Sequence, residues 1–76
     1  MNTIDQVKAI IADQLGMAID EINAESKVKD DLGADSLDMV ELVMKLEEEF
    51  SLKIAEEDLK QIITVMDIAN YLQARA

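Results

Sequence analysis

The 76-residue sequence has no cysteine, histidine, proline or tryptophan, and only one phenylalanine, one tyrosine and two glycines. Without cysteine or histidine there are no disulfides, no thiolate or imidazole metal ligands, no cysteine nucleophiles and no histidine-based triads. Much of enzymology is excluded by those two absences. No apolar run approaches the roughly 18 residues of a membrane span, and no charged-then-apolar leader is present, so a cytoplasmic protein without stable membrane insertion is expected. Basic residues are also scarce, at seven against seventeen acidic ones. The net charge of -10 repels nucleic-acid phosphates and anionic lipid surfaces and attracts basic protein patches, so no nucleic-acid partner is expected. With so few aromatics the core must be aliphatic plus methionine, a composition that repacks readily around a guest.

What is present suits a folded domain. Half the residues are hydrophobic and about a third are charged, unlike a disordered tail. The chain is short enough for one core only, so residues 1–76 are read as a single monomeric domain. Its stability should be about 4–11 kcal/mol. The apolar spacing is helical wherever it is regular, and it predicts an all-α, small four-helix bundle. Thr3 and Gln6 form a capping-box pattern, Ile4, Val7, Ile11 and Leu15 mark one face, and Gly16 is a natural stop. A first helix over 3–15 follows. Residues 16–34 read as a long loop pinned to the core by Ile19, Ile22, Val28 and Leu32. Loops of that length are usually functional or contain short turns of their own.

Asp35 is placed to cap a second helix running to Phe50, with Asp38 favouring its positive end. At about 100° per residue, Leu37, Val40, Val43, Leu46 and Phe50 fall toward one side, and Asp38, Glu41, Lys45, Glu48 and Glu49 toward the other. Val40 and Met44 lie at the boundary of the acidic stripe, an edge suited to a partner. Residues 56–62 predict a short third helix that holds Leu59 and Ile62 to the core. Thr64 and Asp67 cap a last helix whose Val65, Ile68, Ala69 and Leu72 share a face.

The segment Asp30-Asp31-Leu32-Gly33-Ala34-Asp35-Ser36-Leu37-Asp38-Met39-Val40-Glu41-Leu42-Val43-Met44 resembles the attachment region of acyl carrier proteins of fatty acid synthesis. The likeness continues through Glu47-Glu48-Glu49-Phe50 and includes Val7-Lys8, Ile10-Ile11, Gln14-Leu15-Gly16 and Thr64-Val65. It implies that a phosphopantetheinyl transferase moves 4'-phosphopantetheine from coenzyme A to Ser36, with Asp35, Leu37 and Asp38 as the neighbouring site residues. The arm would end in the thiol that the sequence lacks, and acyl chains would ride on it as thioesters. The same resemblance makes the second helix the docking surface for fatty acid synthesis enzymes with basic patches, through Val40, Glu41, Met44, Glu47 and Glu48.

The residues support this reading on their own terms. At a loop-to-helix junction the Ser36 hydroxyl is expected to be accessible, and first-turn amides favour an attached anion. The plain alternative is that Ser36 only begins a helix, although Asp35 can cap while Ser36 carries cargo. No second nucleophile or histidine makes Ser36 catalytic, so no catalytic residue is assigned. Residues 35–50 hold six acids and one base, half of the net charge, and such clustering favours docking over mere solvation. Asp30, Leu32, Ala34 and Asp35 do not fit the ligand pattern of an EF-hand, so no metal site is assigned, although weak divalent binding that relieves repulsion is compatible.

Three positions depart from the family pattern. Lys45 interrupts the acidic stripe and is expected to pair with Glu41 one turn earlier, worth about 0.2–0.5 kcal/mol. Val28 stands where an aromatic is common, and Met66 where a glycine is frequent, so both should alter volume near the core. Competing functions are a carrier for a polyketide or aminoacyl pathway and, from another class, an unmodified acidic helical adaptor. A small enzyme is the least favoured.

Overall fold

The computed structural model describes residues 2–75. In chain order it contains α1 (Thr3–Leu15), a 3-10 turn (Ile19–Glu21), α2 (Ser36–Phe50), the short α3 (Glu56–Leu59) and α4 (Val65–Arg75). This is the expected four-helix arrangement with a long connection after α1. Among the described residues the only β-type pairing is an isolated antiparallel bridge between Lys27 and Thr64.

Local chemistry explains most helix ends. Helix α1 spans the expected residues, but its cap is Asn2 and not Thr3. The Asn2 side chain accepts the Asp5 N–H at 2.9 Å, and its carbonyl accepts from Gln6 at 3.1 Å, so capping occurs one register before the expected Thr3–Gln6 box. Gly16, at φ +67°, ends the helix in the left-handed region that glycine adopts without a Cβ penalty. Helix α4 has the reciprocal box read from Thr64 and Asp67: Asp67 N–H donates to Thr64 Oγ1 at 3.1 Å and Thr64 N–H to Asp67 Oδ2 at 3.0 Å. Helix α3 stops at Leu59, three residues short of the expected Ile62. Shorter-range bonds from Gln61 N–H to Asp58 and from Ile62 N–H to Leu59 then turn the chain while keeping Ile62 against the core.

Helix α1 packs along both α2 and α4. Val7 and Ile11 join Leu42 and Leu46 of α2 and Val65, Ile68, Ala69 and Leu72 of α4 in one buried cluster. Ile22, Val28, Ala34 and Ile54 complete it from the connecting segments. Each fully buried aliphatic side chain contributes about 1.5–3 kcal/mol.

The long connection is held by its backbone as well as by side chains. Val28 N–H donates to Ile63, Val65 N–H to Ser26 and Met66 N–H to Ala24, at 2.9–3.0 Å, so residues 24–28 run beside the entry to α4. Ile22 and Val28 are buried and Leu32 is half-buried, as anticipated, but Ile19 is 43% exposed and pins nothing. The chain then folds back on itself. Gly33 N–H reaches Lys29 O at 3.2 Å and Ala34 N–H reaches Val28 O at 3.1 Å, a reversal in which Gly33 takes φ +77°. Asp35 and Ser36 emerge from that reversal at the head of α2.

Candidate functional site

At the start of α2, Asp35 and Asp38 form a reciprocal capping box. Asp38 N–H donates to Asp35 Oδ1 at 2.9 Å, and Asp35 N–H donates to Asp38 Oδ2 at 3.2 Å. The sequence placed Asp35 at the cap but gave Asp38 only an electrostatic part. Two of the four helix-start donors are thereby satisfied inside the box, and helical geometry leaves the amides of Ser36 and Leu37 without intrahelical acceptors. Ser36 is exposed and its hydroxyl takes no part in the cap. Leu37 beside it is 66% exposed.

Ser36 stands at the edge of an open groove of about 670 Å³. Its floor is apolar, built from Met39 and Val43 of α2, Ile54, Leu59 and the Ile62–Ile63 pair. Behind it lies a narrow internal seam of about 10 Å³ that shares Met39, Val43, Ile54, Leu59 and Ile62 and reaches Leu42, Leu46, Ile68 and Tyr71. The wall between groove and seam therefore consists of side chains from α2, from α3 and from the segments that flank α3.

The α2 face differs from its sequence reading. Leu42 and Leu46 are buried, with Met39, Val43 and Phe50 packed against the core. Leu37 and Val40, expected on the side of Leu46, are exposed, and Val40 is 57% so. Counting from Leu42, Leu37 lies about 140° and Val40 about 160° around the helix, so contact with α1 turns both outward. Met44, at 58% exposure, continues this outer apolar edge as the sequence suggested.

The acids of α2 divide by use. Glu41 accepts a hydrogen bond from Gln14 Nε2 of α1, and Lys45 Nζ reaches Asp13 Oδ2 at 3.1 Å. The expected Glu41–Lys45 pair is replaced by these two ties to α1. Glu47 accepts the Ile54 N–H at 2.8 Å and so holds the chain leaving α2, whereas Glu48 is exposed. Val28 is buried as expected, but Met66 is 40% exposed and lies off the core.

Helix α3, one wall of the groove, is fastened to α4 by a cluster that sequence reading missed. Tyr71 donates its hydroxyl hydrogen to Asp58 Oδ2 at 2.8 Å. Arg75 lies 3.6 Å from the same oxygen and 3.7 Å above the Tyr71 ring. Donation to Asp58, followed by partial burial, raises the Tyr71 phenol above its ordinary pKa. The i, i+4 spacing of Tyr71 and Arg75 was the available signal, but Asp58 comes near only through the fold.

Comparison with known proteins bears on the family and the fold. The phosphopantetheine attachment site family matches residues 5–72. The chain is 49% identical over 72 residues to an acyl carrier protein of Campylobacter jejuni subsp. doylei, covering 95% of this chain and 94% of the relative. It is 54% identical over 70 residues to one from Bdellovibrio bacteriovorus, covering 92% and 90%. Its fold is similar to a solution structure described as an acyl carrier protein from Anaplasma phagocytophilum, with a TM-score of 0.88, 33% identity and coverage of 96% and 86%. The acyl carrier protein of Enterococcus faecalis gives a TM-score of 0.82, 32% identity and full coverage of both chains.

Proposed function

We propose, from the premise that this chain belongs to the acyl carrier protein family with its phosphopantetheine attachment site, that Ser36 bears the arm and that the protein shuttles acyl intermediates of fatty acid synthesis. The chain is a carrier and not an enzyme, and its prosthetic group is 4'-phosphopantetheine. When bound, that group supplies a thiol on which acyl groups are held as thioesters. The observation that carries the site assignment is the division of labour at the head of α2. Asp35 and Asp38 cap the helix, leaving an exposed Ser36 hydroxyl free beside an apolar groove.

The remaining steps belong to the protein's own residues. The capping box fixes the helix start so that Ser36 is presented to a transferase in one orientation. The free amides of Ser36 and Leu37 favour an anion there. The floor of Met39, Val43, Leu59 and Ile62 offers an apolar chain a place out of water. Leu37, Val40 and Met44 form an exposed apolar edge, with Glu41 and Glu48 beside it as acids for the basic docking patch of a transferase or synthesis enzyme. Glu47 serves this surface less directly because it holds Ile54. Exposed pairs of this type give fast, salt-sensitive and reversible encounters. Among the described residues no helix is long and apolar enough to cross a membrane.

Incubation with coenzyme A and a broad-specificity phosphopantetheinyl transferase is expected to add one arm, read by intact mass. The loaded protein is then offered to malonyl transfer and condensing enzymes of fatty acid synthesis, and to an adenylating aminoacyl ligase. Preferential loading by the first set supports the pathway assignment, whereas loading by the ligase alone moves the protein to an aminoacyl pathway.

A further inference from the structure

Only seven basic residues occur in this chain of net charge -10, yet three of them, Lys27, Lys29 and Lys60, line the groove beside Ser36. Backbone hydrogen bonds place the first two near the head of α2. Gly33 N–H on Lys29 O and Ala34 N–H on Val28 O hold residues 27–29 against the segment that leads into Ser36. Val28 N–H on Ile63 O, at 3.0 Å, brings the turn after α3, with Lys60, to the same segment. All three lysines are exposed. Among the described residues the ion pairs are Lys45–Asp13 and Arg75–Asp58, so none of the three groove ammonium groups is engaged.

The groove lining holds fewer carboxylates than ammonium groups. Asp30 and Glu56 share the groove lining. Asp31 turns an oxygen to the Lys27 N–H at 2.8 Å, and Asp35 and Asp38 are bound into the capping box. A phosphodiester on Ser36 would place another negative charge beside the two box aspartates, and like charges at short range repel. A local cationic group would offset that repulsion, in addition to the free amides of Ser36 and Leu37. Lysine suits it, because a compact charge on a flexible stem can follow a ligand that does not sit in one pose.

We infer that Lys27, Lys29 and Lys60 form a cationic site for the phosphodiester of the arm, offsetting the Asp35–Asp38 charge and directing the arm from the exposed head of α2 toward the groove. The inference rests on Ser36 as the attachment residue. It gives the arm to the groove mouth, which shares Val40 and Met44 with the outer edge of α2, and leaves the acids of that edge to the partner.

The test compares unmodified and phosphopantetheinylated forms of the wild type and of a Lys27→Gln, Lys29→Gln, Lys60→Gln variant. Intact mass comes first, and a wild type that takes no arm overturns the Ser36 assignment and this inference with it. With the arm confirmed, the melting-temperature change caused by modification is expected to be less favourable in the triple variant by about 3–6 °C at low salt. That gap should shrink at about 0.5 M salt. An equal change in both proteins overturns the lysine site. A second measurement does not depend on the variant folding. In wild-type protein, NMR signals of the Lys27, Lys29 and Lys60 side-chain ends should shift on modification while those of Lys8 and Lys53 stay in place. Unmoved groove lysines with the arm attached contradict the inference.

Discussion

At the residue scale, two aspartates determine what Ser36 is free to do. Asp35 and Asp38 satisfy each other's backbone amides, so the serine is not needed as a cap. The same chemistry recurs at α4, where Asp67 Oδ2 accepts N–H bonds from Thr64 and Ile63, both at 3.0 Å. Those two backbone bonds, Thr64 first, hold the Asp67 carboxyl below its ordinary pKa. Its contribution to stability is therefore fully present above the ordinary carboxylate pKa of about 4, and is lost as pH falls through the lower folded value. Asp67→Asn keeps an acceptor but removes the titration. Between about pH 5 and pH 3 the variant should lose less melting temperature than the wild type, and identical losses would show that Asp67 is not a source of acid sensitivity. Such caps were legible in the sequence because they are local. Asn2 displaced Thr3 by one register because both are competent caps and only the backbone decides between them.

At the scale of elements, α3 is the piece most open to movement. It has four residues and no side-chain cap, and it is held by Leu59, Ile62 and the Asp58–Tyr71–Arg75 cluster. Tyr71→Phe should cost about 1 kcal/mol. The effect should be uneven: amide hydrogen exchange at Leu59 and Ile62 should accelerate more than at Ile11 in α1. Uniform acceleration would mean that α3 does not open separately from the fold. This tie was not legible, because Asp58 and Tyr71 are brought together only by tertiary packing. The facing of α2 was half legible for a related reason. Its apolar residues at 37, 39, 40, 42, 43, 44, 46 and 50 surround much of the helix, so periodicity does not single out an inward side. Contact with α1 makes that choice, burying Leu42 and leaving Leu37 and Val40 exposed. Helix α4 has one clean stripe through Val65, Ile68, Ala69 and Leu72, and its buried face was read correctly, although Met66 lies outside it.

At the scale of the whole molecule, an aliphatic core, a groove on one side of α2 and acids along its outer edge make a small protein that can hold cargo and present it. The groove and the internal seam share Met39, Val43, Ile54, Leu59 and Ile62, so side chains alone separate the two. If acyl chains lodge there, melting temperature should rise with chain length, by up to about 0.8 kcal/mol, or roughly 3–6 °C, for each methylene buried. A flat series would mean that the chain stays outside. All of this depends on Ser36 bearing the arm, and one comparison tests that most directly. Wild type and Ser36→Ala are incubated with coenzyme A and a phosphopantetheinyl transferase, weighed intact, and checked for helical content by circular dichroism. The prediction is one phosphopantetheine on the wild type and none on an equally helical Ser36→Ala protein. An adduct that persists in Ser36→Ala, or a wild type that remains unmodified by several transferases, would contradict it.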